Sequence, residues 1–216
     1  MNKRIIFDMD GILFDTEKLY LKCWSELEIA SLENIEEVLK LCIGSNEQKT
    51  REILKAHYRE AFDVKCYHAK AKAIFQKHIH EQGVPMKKGV YELLSFLKEK
   101  DYKIGLASST RTEIVIRELE EAKIIDYFDV IVGGDQVKES KPNPEIFLYA
   151  GEKLGAIPED IMVIEDSING IRAAYAAGMK PIMVPDLIMP TEEIEVLLYK
   201  KFESLVEVRE YLANLG

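Results

Sequence analysis

Beyond Gly83-Val84-Pro85 the chain settles into an alternation of short apolar runs and stretches of helical periodicity, a pattern few folds accept. Val90, Leu93, Leu94 and Leu97 recur at helical spacing, and Ile104 to Ser108 follows as a near-continuous apolar run. Ile114, Val115 and Leu119 mark the next helix, before the run Val130-Ile131-Val132 that stops at Gly133-Gly134. Asn143 as N-cap, with Pro144 at the first helical position, opens another helix. Ile161 to Glu165 then reads as a strand, Ile168 to Ala177 as a helix and Ile182 to Val184 as a strand. Thr191 and Ser204, the latter with Glu207, open two final helices. Strands that are apolar along their whole length are buried on both faces. The rhythm therefore predicts an α/β fold, a doubly wound parallel sheet covered by helices on either side. Ile5, Ile6 and Phe7, in the short run Arg4 to Asp8, supply one more strand at the start.

Between that first strand and Gly83 there is no strand alternation. Leu19, Tyr20, Cys23, Trp24 and Leu27 fall at helical spacing. Ser45 with Gln48 forms a capping box ahead of Ile53, Leu54, His57 and Tyr58. Ala71, Ile74, Phe75, His78 and Ile79 make a further stripe. The expected organisation is an α/β domain built from residues 1–15 and 84–216, interrupted by a helical domain over 16–83.

At 216 residues, 47% of them hydrophobic, such a chain can bury a core without disulfide or metal staples. Cys23, Cys42 and Cys66 are odd in number, widely spaced and without a CxxC pair, so thiols in a reducing cytoplasm are expected. A net charge of −9 disfavours a nucleic-acid binder that works through phosphate contacts. No stretch approaches the roughly 20 apolar residues of a membrane span. The first apolar run is broken by Asp8 and Asp10 and is too short for a signal peptide. A cytoplasmic protein with no nucleic-acid or membrane partner is the expectation.

In open α/β sheets, ligands bind at the carboxyl ends of strands. Here those ends hold Asp8, Asp10 and Gly11; Ser108, Ser109 and Thr110; Gly133-Gly134-Asp135, then Lys141; and Glu165 with Asp166. Asp8, Asp10, Glu165 and Asp166 converge if the first and fourth strands are neighbours. Two like charges 4 Å apart repel by about 4 kcal/mol at an effective dielectric near 20. Four carboxylates therefore need a bound cation or a protonated member. Hard oxygen donors point to Mg²⁺. An acid standing alone is more often a helix cap or a solvated loop residue, but here two pairs each follow directly on an apolar run. A Ser108 hydroxyl beside helix-start N–H groups suits a phosphate oxygen. The run Ser108-Ser109-Thr110 would equally cap a helix, the plainer reading for Ser109 and Thr110, with Ser109 kept as a candidate substrate contact. Lys141, beside four carboxylates, is a candidate for holding a phosphoryl group.

The segments FDMDGILFDTE (7–17), GLASST (105–110), KPNPEIF (141–147) and VIEDSINGIRAAYAAGM (163–179), in that order and spacing, resemble the haloacid dehalogenase superfamily. Within it they are similar to the β-phosphoglucomutase-like phosphatases. The likeness covers both ends and the centre of the α/β domain; the helical insert matches that family's cap in position but carries no strong motif. The resemblance implies that Asp8 is a nucleophile that becomes an aspartyl-phosphate. It implies Asp10 as general acid for the leaving alkoxide, then base for water. Ser108 and Lys141 would hold the phosphoryl oxygens. Mg²⁺ would sit on Asp8, the Asp10 main-chain carbonyl and Asp166, with Glu165 a ligand or a neighbour of one. Gly11 would allow the tight turn after the nucleophile, and Asp15 and Thr16 would lie near the cap hinge. A monomer is the family default.

The leading expectation is a Mg²⁺-dependent phosphatase acting on a small phosphorylated metabolite, a sugar phosphate. A halide leaving group needs no acid, and dehalogenases of the superfamily lack an Asp at the position of Asp10. A phosphomutase such as β-phosphoglucomutase is the alternative, since the core residues are shared. That family carries a His five residues beyond the Asp that matches Asp15, where this chain has Tyr20. It also carries a basic residue after a glycine loop, where Gly44 is here followed by Ser45, Asn46, Glu47 and Gln48. A non-catalytic binding protein on this fold would be expected to have lost Asp8 or Asp10. In the cap, Trp24, Tyr58, His57 and Phe75 are expected to pack the interior. Tyr20, Glu47 and Gln48 are the candidates for substrate specificity.

Overall fold

The computed structural model describes residues 3–27, 34–43, 45, 47–58 and 63–215, with backbone alone at Glu47 and Val64. Its centre is a six-stranded sheet of β1 (Arg4–Phe7), β2 (Lys103–Ser108), β3 (Val130–Gly133), β4 (Ile161–Glu165), β5 (Lys180–Met183) and β6 (Lys200–Lys201). All neighbours are parallel, in the order β3-β2-β1-β4-β5-β6. The strand order reverses between β1 and β4, where a doubly wound sheet opens its binding crevice. Phe7 lies opposite Leu106 of β2 and Ile164 of β4. That register brings Asp8, Ser108 and Glu165 out at nearly one level.

Period-two alternation assigns the two faces. Ile5 and Phe7 join Ile104 and Leu106 under α5 (Val90–Glu99), α6 (Thr112–Glu121) and α10 (Leu205–Asn214). Ile6, Ala107, Val132 and Val163 pack under α7 (Glu145–Lys153) and α8 (Ile168–Ala176). Each fully buried Ile or Phe contributes about 1.5–3 kcal/mol relative to exposure. The short α9 (Glu192–Glu195) adds Ile194 to a smaller cluster with Ile171 and Met183.

Two local expectations shift. The helix read from Asn143-Pro144 begins at Glu145, with Pro144 as its cap and the Asn143 side chain accepting from the Glu145 N–H at 3.0 Å. β6 leaves no apolar run in the sequence, because Lys200 and Lys201 are exposed on the sheet edge, where lysines discourage further pairing.

Between β1 and α5 the chain forms α1 (Thr16–Ser25), α2 (Ile35–Lys40), α3 (Glu47–Tyr58) and α4 (Val64–Gln82). They enclose a separate apolar cluster of Trp24, Val38, Leu39, Leu54 and Ala71, with Tyr58 against it. His57 does not join that interior; it is exposed beside the Tyr58 ring. Gly44, Asn46 and the Glu47 side chain lie outside the described residues. The segments entering and leaving these helices run side by side. The Asp15 N–H donates to Pro85 O at 2.7 Å and the Lys87 N–H to Leu13 O at 2.9 Å. No helix among the described residues is long and apolar enough to cross a membrane.

Candidate active site

The carboxyl ends of β1, β2 and β4 bring Asp8, Ser108 and Glu165 together, and the loop ahead of α7 delivers Lys141 among them. Lys141 is 2% exposed. An ammonium removed from water in this way needs charged partners, and it has them. Its Nζ donates to Asp8 Oδ1, to Glu165 Oε1 at 2.8 Å and to Ala107 O at 3.2 Å. The Phe147 ring lies 4.9 Å beneath it. Burial alone would lower the Lys141 pKa, but the charges of Asp8 and Glu165 outweigh it and hold the ammonium protonated. Burial raises the Asp8 carboxyl, and with Lys141 pulling it down and Glu165 and Asp10 pushing it up it comes to about 8.

Glu165 is fully engaged. Its second oxygen accepts from the Ser167 N–H at 2.7 Å and the Ser167 hydroxyl at 2.9 Å. Ser167 in turn caps α8 by accepting from the Gly170 N–H at 3.0 Å. A Cβ on Gly170 would fall 1.7 Å from Glu165 Oε1, so only glycine lets the helix start rest on this carboxylate.

Asp10 turns away from that cluster. Thr16 Oγ1, at the start of α1, donates to Asp10 Oδ1 at 2.5 Å, and Thr110 Oγ1 donates to Asp10 Oδ2 at 3.1 Å. Burial raises the Asp10 carboxyl, against these two bonds that lower it. Asp166 is buried as well; burial, then the charges of Glu17, Glu165 and Asp8, hold its carboxyl well above the usual range. Gly11, at φ +78°, carries the turn over Asp166, since a Cβ there would lie 2.3 Å from Asp166 Oδ2.

Asp8 and Asp10 open onto a cavity of about 590 Å³ walled on the other side by α1, α3 and α4. Ser109, Thr110 and Arg111 line its sheet side; Tyr20, Gln48, Arg51, His68 and Lys72 line its helical side. Phe75 lines the cavity rather than filling the helical interior, with its ring edge-on to Tyr20 at 6.2 Å. Tyr20 also meets Trp24 and His68 edge-on. Ser108 is fully buried, its hydroxyl accepting from the Thr110 N–H at 3.0 Å.

Sequence reasoning read Thr110 as a helix cap. The cap of α6 instead comes from Asp135, which accepts from the Thr112 N–H at 2.6 Å, and this frees Thr110 for Asp10. Thr16, Ser167 and Glu17 were also missed as partners of the acids. Ser167, directly after Glu165-Asp166 and ahead of a helix, carried a readable cap signal. Glu17, whose Oε2 is buried without a hydrogen-bond partner among the described residues, lines the cavity, and its carboxyl is held well up by burial and then by Asp10 and Asp8.

The sequence profile of the haloacid dehalogenase-like hydrolases matches residues 5–184. A phosphorylated carbohydrates phosphatase of Thermotoga maritima is 37% identical over 186 residues, 82% of this chain and 82% of the relative. The β-phosphoglucomutase of Bacillus subtilis is 32% identical over 224 aligned positions, covering 94% of this chain and 96% of the relative. The crystal structure of CbbY from Rhodobacter sphaeroides in complex with phosphate superposes with a TM-score of 0.79 at 25% identity, over 96% of each chain. With the family profile running from within β1 through β2, the Lys141 loop and β4, the chain belongs to the haloacid dehalogenase-like hydrolase family.

Proposed function

We propose that this protein is a Mg²⁺-dependent phosphatase of a small phosphomonoester, a sugar phosphate, working through an aspartyl-phosphate on Asp8. The helices over 16–83 serve as a cap above the α/β domain of 1–15 and 84–216. The observation that carries this reading is the pair of differently held acids. Asp8 is bonded to Lys141 at the strand ends, while Asp10 is held by two hydroxyls at the cavity. Neighbouring carboxyls in different environments divide nucleophile from acid.

In this reading the Asp8 carboxylate attacks phosphorus, and the bond from phosphorus to the ester oxygen breaks. Asp10, whose carboxyl burial raises, passes its proton to the departing alkoxide. Water then attacks the phosphorus, Asp10 takes its proton, and the bond to Asp8 breaks to release phosphate. Lys141 and Ser108 hold phosphoryl oxygens, with Ser109 at the cavity edge. Tyr20, at the cavity wall, contacts the rest of the substrate.

The donors suit Mg²⁺: Asp8, Asp166 and the Asp10 main-chain carbonyl are hard oxygens, and Gly11 leaves the space beside Asp166 open. Among the described residues, no three His, Cys, Asp or Glu side chains form a ready-made metal cluster. Two carboxylates, a carbonyl and waters match the habit of Mg²⁺, which keeps several waters. With both oxygens taken by Lys141 and Ser167, Glu165 serves this centre by fixing Lys141. When bound, the ion supplies charge neutralisation at the transferring phosphoryl group.

The test is inorganic phosphate release from a panel of sugar phosphates, nucleoside monophosphates and small phosphoesters, with Mg²⁺ and with chelator, and with Asp8→Asn as control. Release that needs both Mg²⁺ and Asp8 supports the reading. No release from any member, β-glucose 1-phosphate included, overturns it and brings phosphomutase activity forward.

A further inference from the structure

Lys18 stands in the first turn of α1, where a cation opposes the helix dipole. The N-cap residue, Asp15, makes no side-chain cap bond. The first turn is instead tied from outside. Lys18 Nζ lies 2.7 Å from Asp186 Oδ1 and 3.1 Å from Asp15 Oδ1. Asp186 follows β5 and its side chain is 4% exposed. The same Asp186 oxygen receives Lys87 Nζ at 2.7 Å, from the segment that returns to the sheet domain. A buried carboxylate of the sheet domain thus holds one lysine from each side of the crossing. The residues just before Lys18 are Thr16, bonded to Asp10, and Glu17, at the cavity wall. The start of α1 is therefore fixed at two points, Thr16 on Asp10 and Lys18 on Asp186.

We propose that Asp186 is a positioning residue: through Lys18 it sets the first turn of α1 and so the placement of the Thr16 hydroxyl on Asp10. The inference rests on the proposed phosphatase reading. Residues that fix a reacting group's geometry act mainly on turnover. A partly exposed ion pair is weakened by salt.

The test compares Asp186→Asn, Lys18→Met, Lys18→Arg and the double variant Asp186→Asn/Lys18→Met. It reads kcat, KM, their salt dependence, and hydrogen exchange of the α1 amides. Asp186→Asn and Lys18→Met are each expected to lower kcat about tenfold with KM within about twofold, the double variant losing no more than either. Wild-type kcat falls as salt rises, and that of Asp186→Asn stays flat. Lys18→Arg keeps most of kcat, and α1 exchange rises in the Asn and Met variants alone. Wild-type turnover and exchange in Lys18→Met, or losses that multiply in the double variant, overturn the proposal. If Asp186→Asn does not fold, the two Lys18 variants, altered at a half-exposed side chain, decide it. If no form, wild type included, releases phosphate, the phosphatase reading fails, and α1 exchange still decides whether Asp186 seats the helix.

Discussion

Thr16 Oγ1 donates to Asp10 Oδ1 at 2.5 Å, joining the first residue of α1 to the turn that follows the central strand. This bond and the one from Thr110 both favour the ionised carboxylate, so they hold the Asp10 pKa below what burial alone would give. Thr16→Val is expected to lower kcat about tenfold. It is also expected to move the alkaline limb of the pH–kcat profile upward, because Asp10 then keeps its proton to higher pH. A fall in kcat with an unmoved limb would argue against the hydroxyl acting on Asp10.

Gly11 gives a sharper test of the acidic centre. A Cβ there lies 2.3 Å from Asp166 Oδ2, and the φ of +78° suits few other residues. Gly11→Ala should cost at least about 1–2 kcal/mol of backbone strain and displace Asp166. Phosphate release should drop by about 100-fold or more, with Mg²⁺ dependence shifted to higher concentration. Unchanged Mg²⁺ titration in a folded Gly11→Ala protein would detach Asp166 from the metal.

Stability should depend on pH in a way that Mg²⁺ reverses. The Asp8 carboxyl stands at about 8 against an ordinary 3.8. Its folded pKa is raised, so its contribution is fully present below about 4 and is lost as pH rises through about 8. With chelator, Tm should fall across this window, and Asp8→Asn should flatten the fall. At the proposed site, Mg²⁺ that binds the native state alone and competes with protons should raise Tm more at the alkaline end. An equal Mg²⁺ effect at both ends would count against a carboxylate site.

Glu118 of α6 is 3% exposed and lines the cavity, with its carboxyl pushed up to about 8 by burial and then by Asp10. Its raised pKa likewise removes stability as pH climbs from the ordinary carboxylate range through about 8. Glu118→Gln should therefore stabilise the protein above pH 8 by about 2–4 kcal/mol and change little near pH 5. Equal Tm values for both proteins at alkaline pH would refute this.

Much of the molecule was legible because the signals were local. Apolar runs gave five of the strands, and their ends named Asp8, Asp10, Lys141 and Asp166. What escaped depended on distant approach. Thr110 reaches Asp10 across 100 residues of sequence, and only the capping of α6 by Asp135 releases it. Glu118 sits in a run of charged helix residues that reads as solvated, and nothing local says that it faces inward. His57 shares the spacing of buried neighbours yet falls outside the helical interior. β6 is two lysines long, and pairing rather than composition makes it a strand.

The central strand β1 is only four residues long, yet both its edges are paired along its length. The acids that follow it hang from a strand held on both sides. The opposite wall of the cavity comes from helices that return to the sheet by one pair of crossings. Substitutions in those helices can change what enters the cavity without moving Asp8, Lys141 or Glu165. Over evolutionary time, the range of molecules accepted can then drift in the helices beyond the first turn of α1, while the chemistry stays tied to the strand ends and to Thr16 on Asp10.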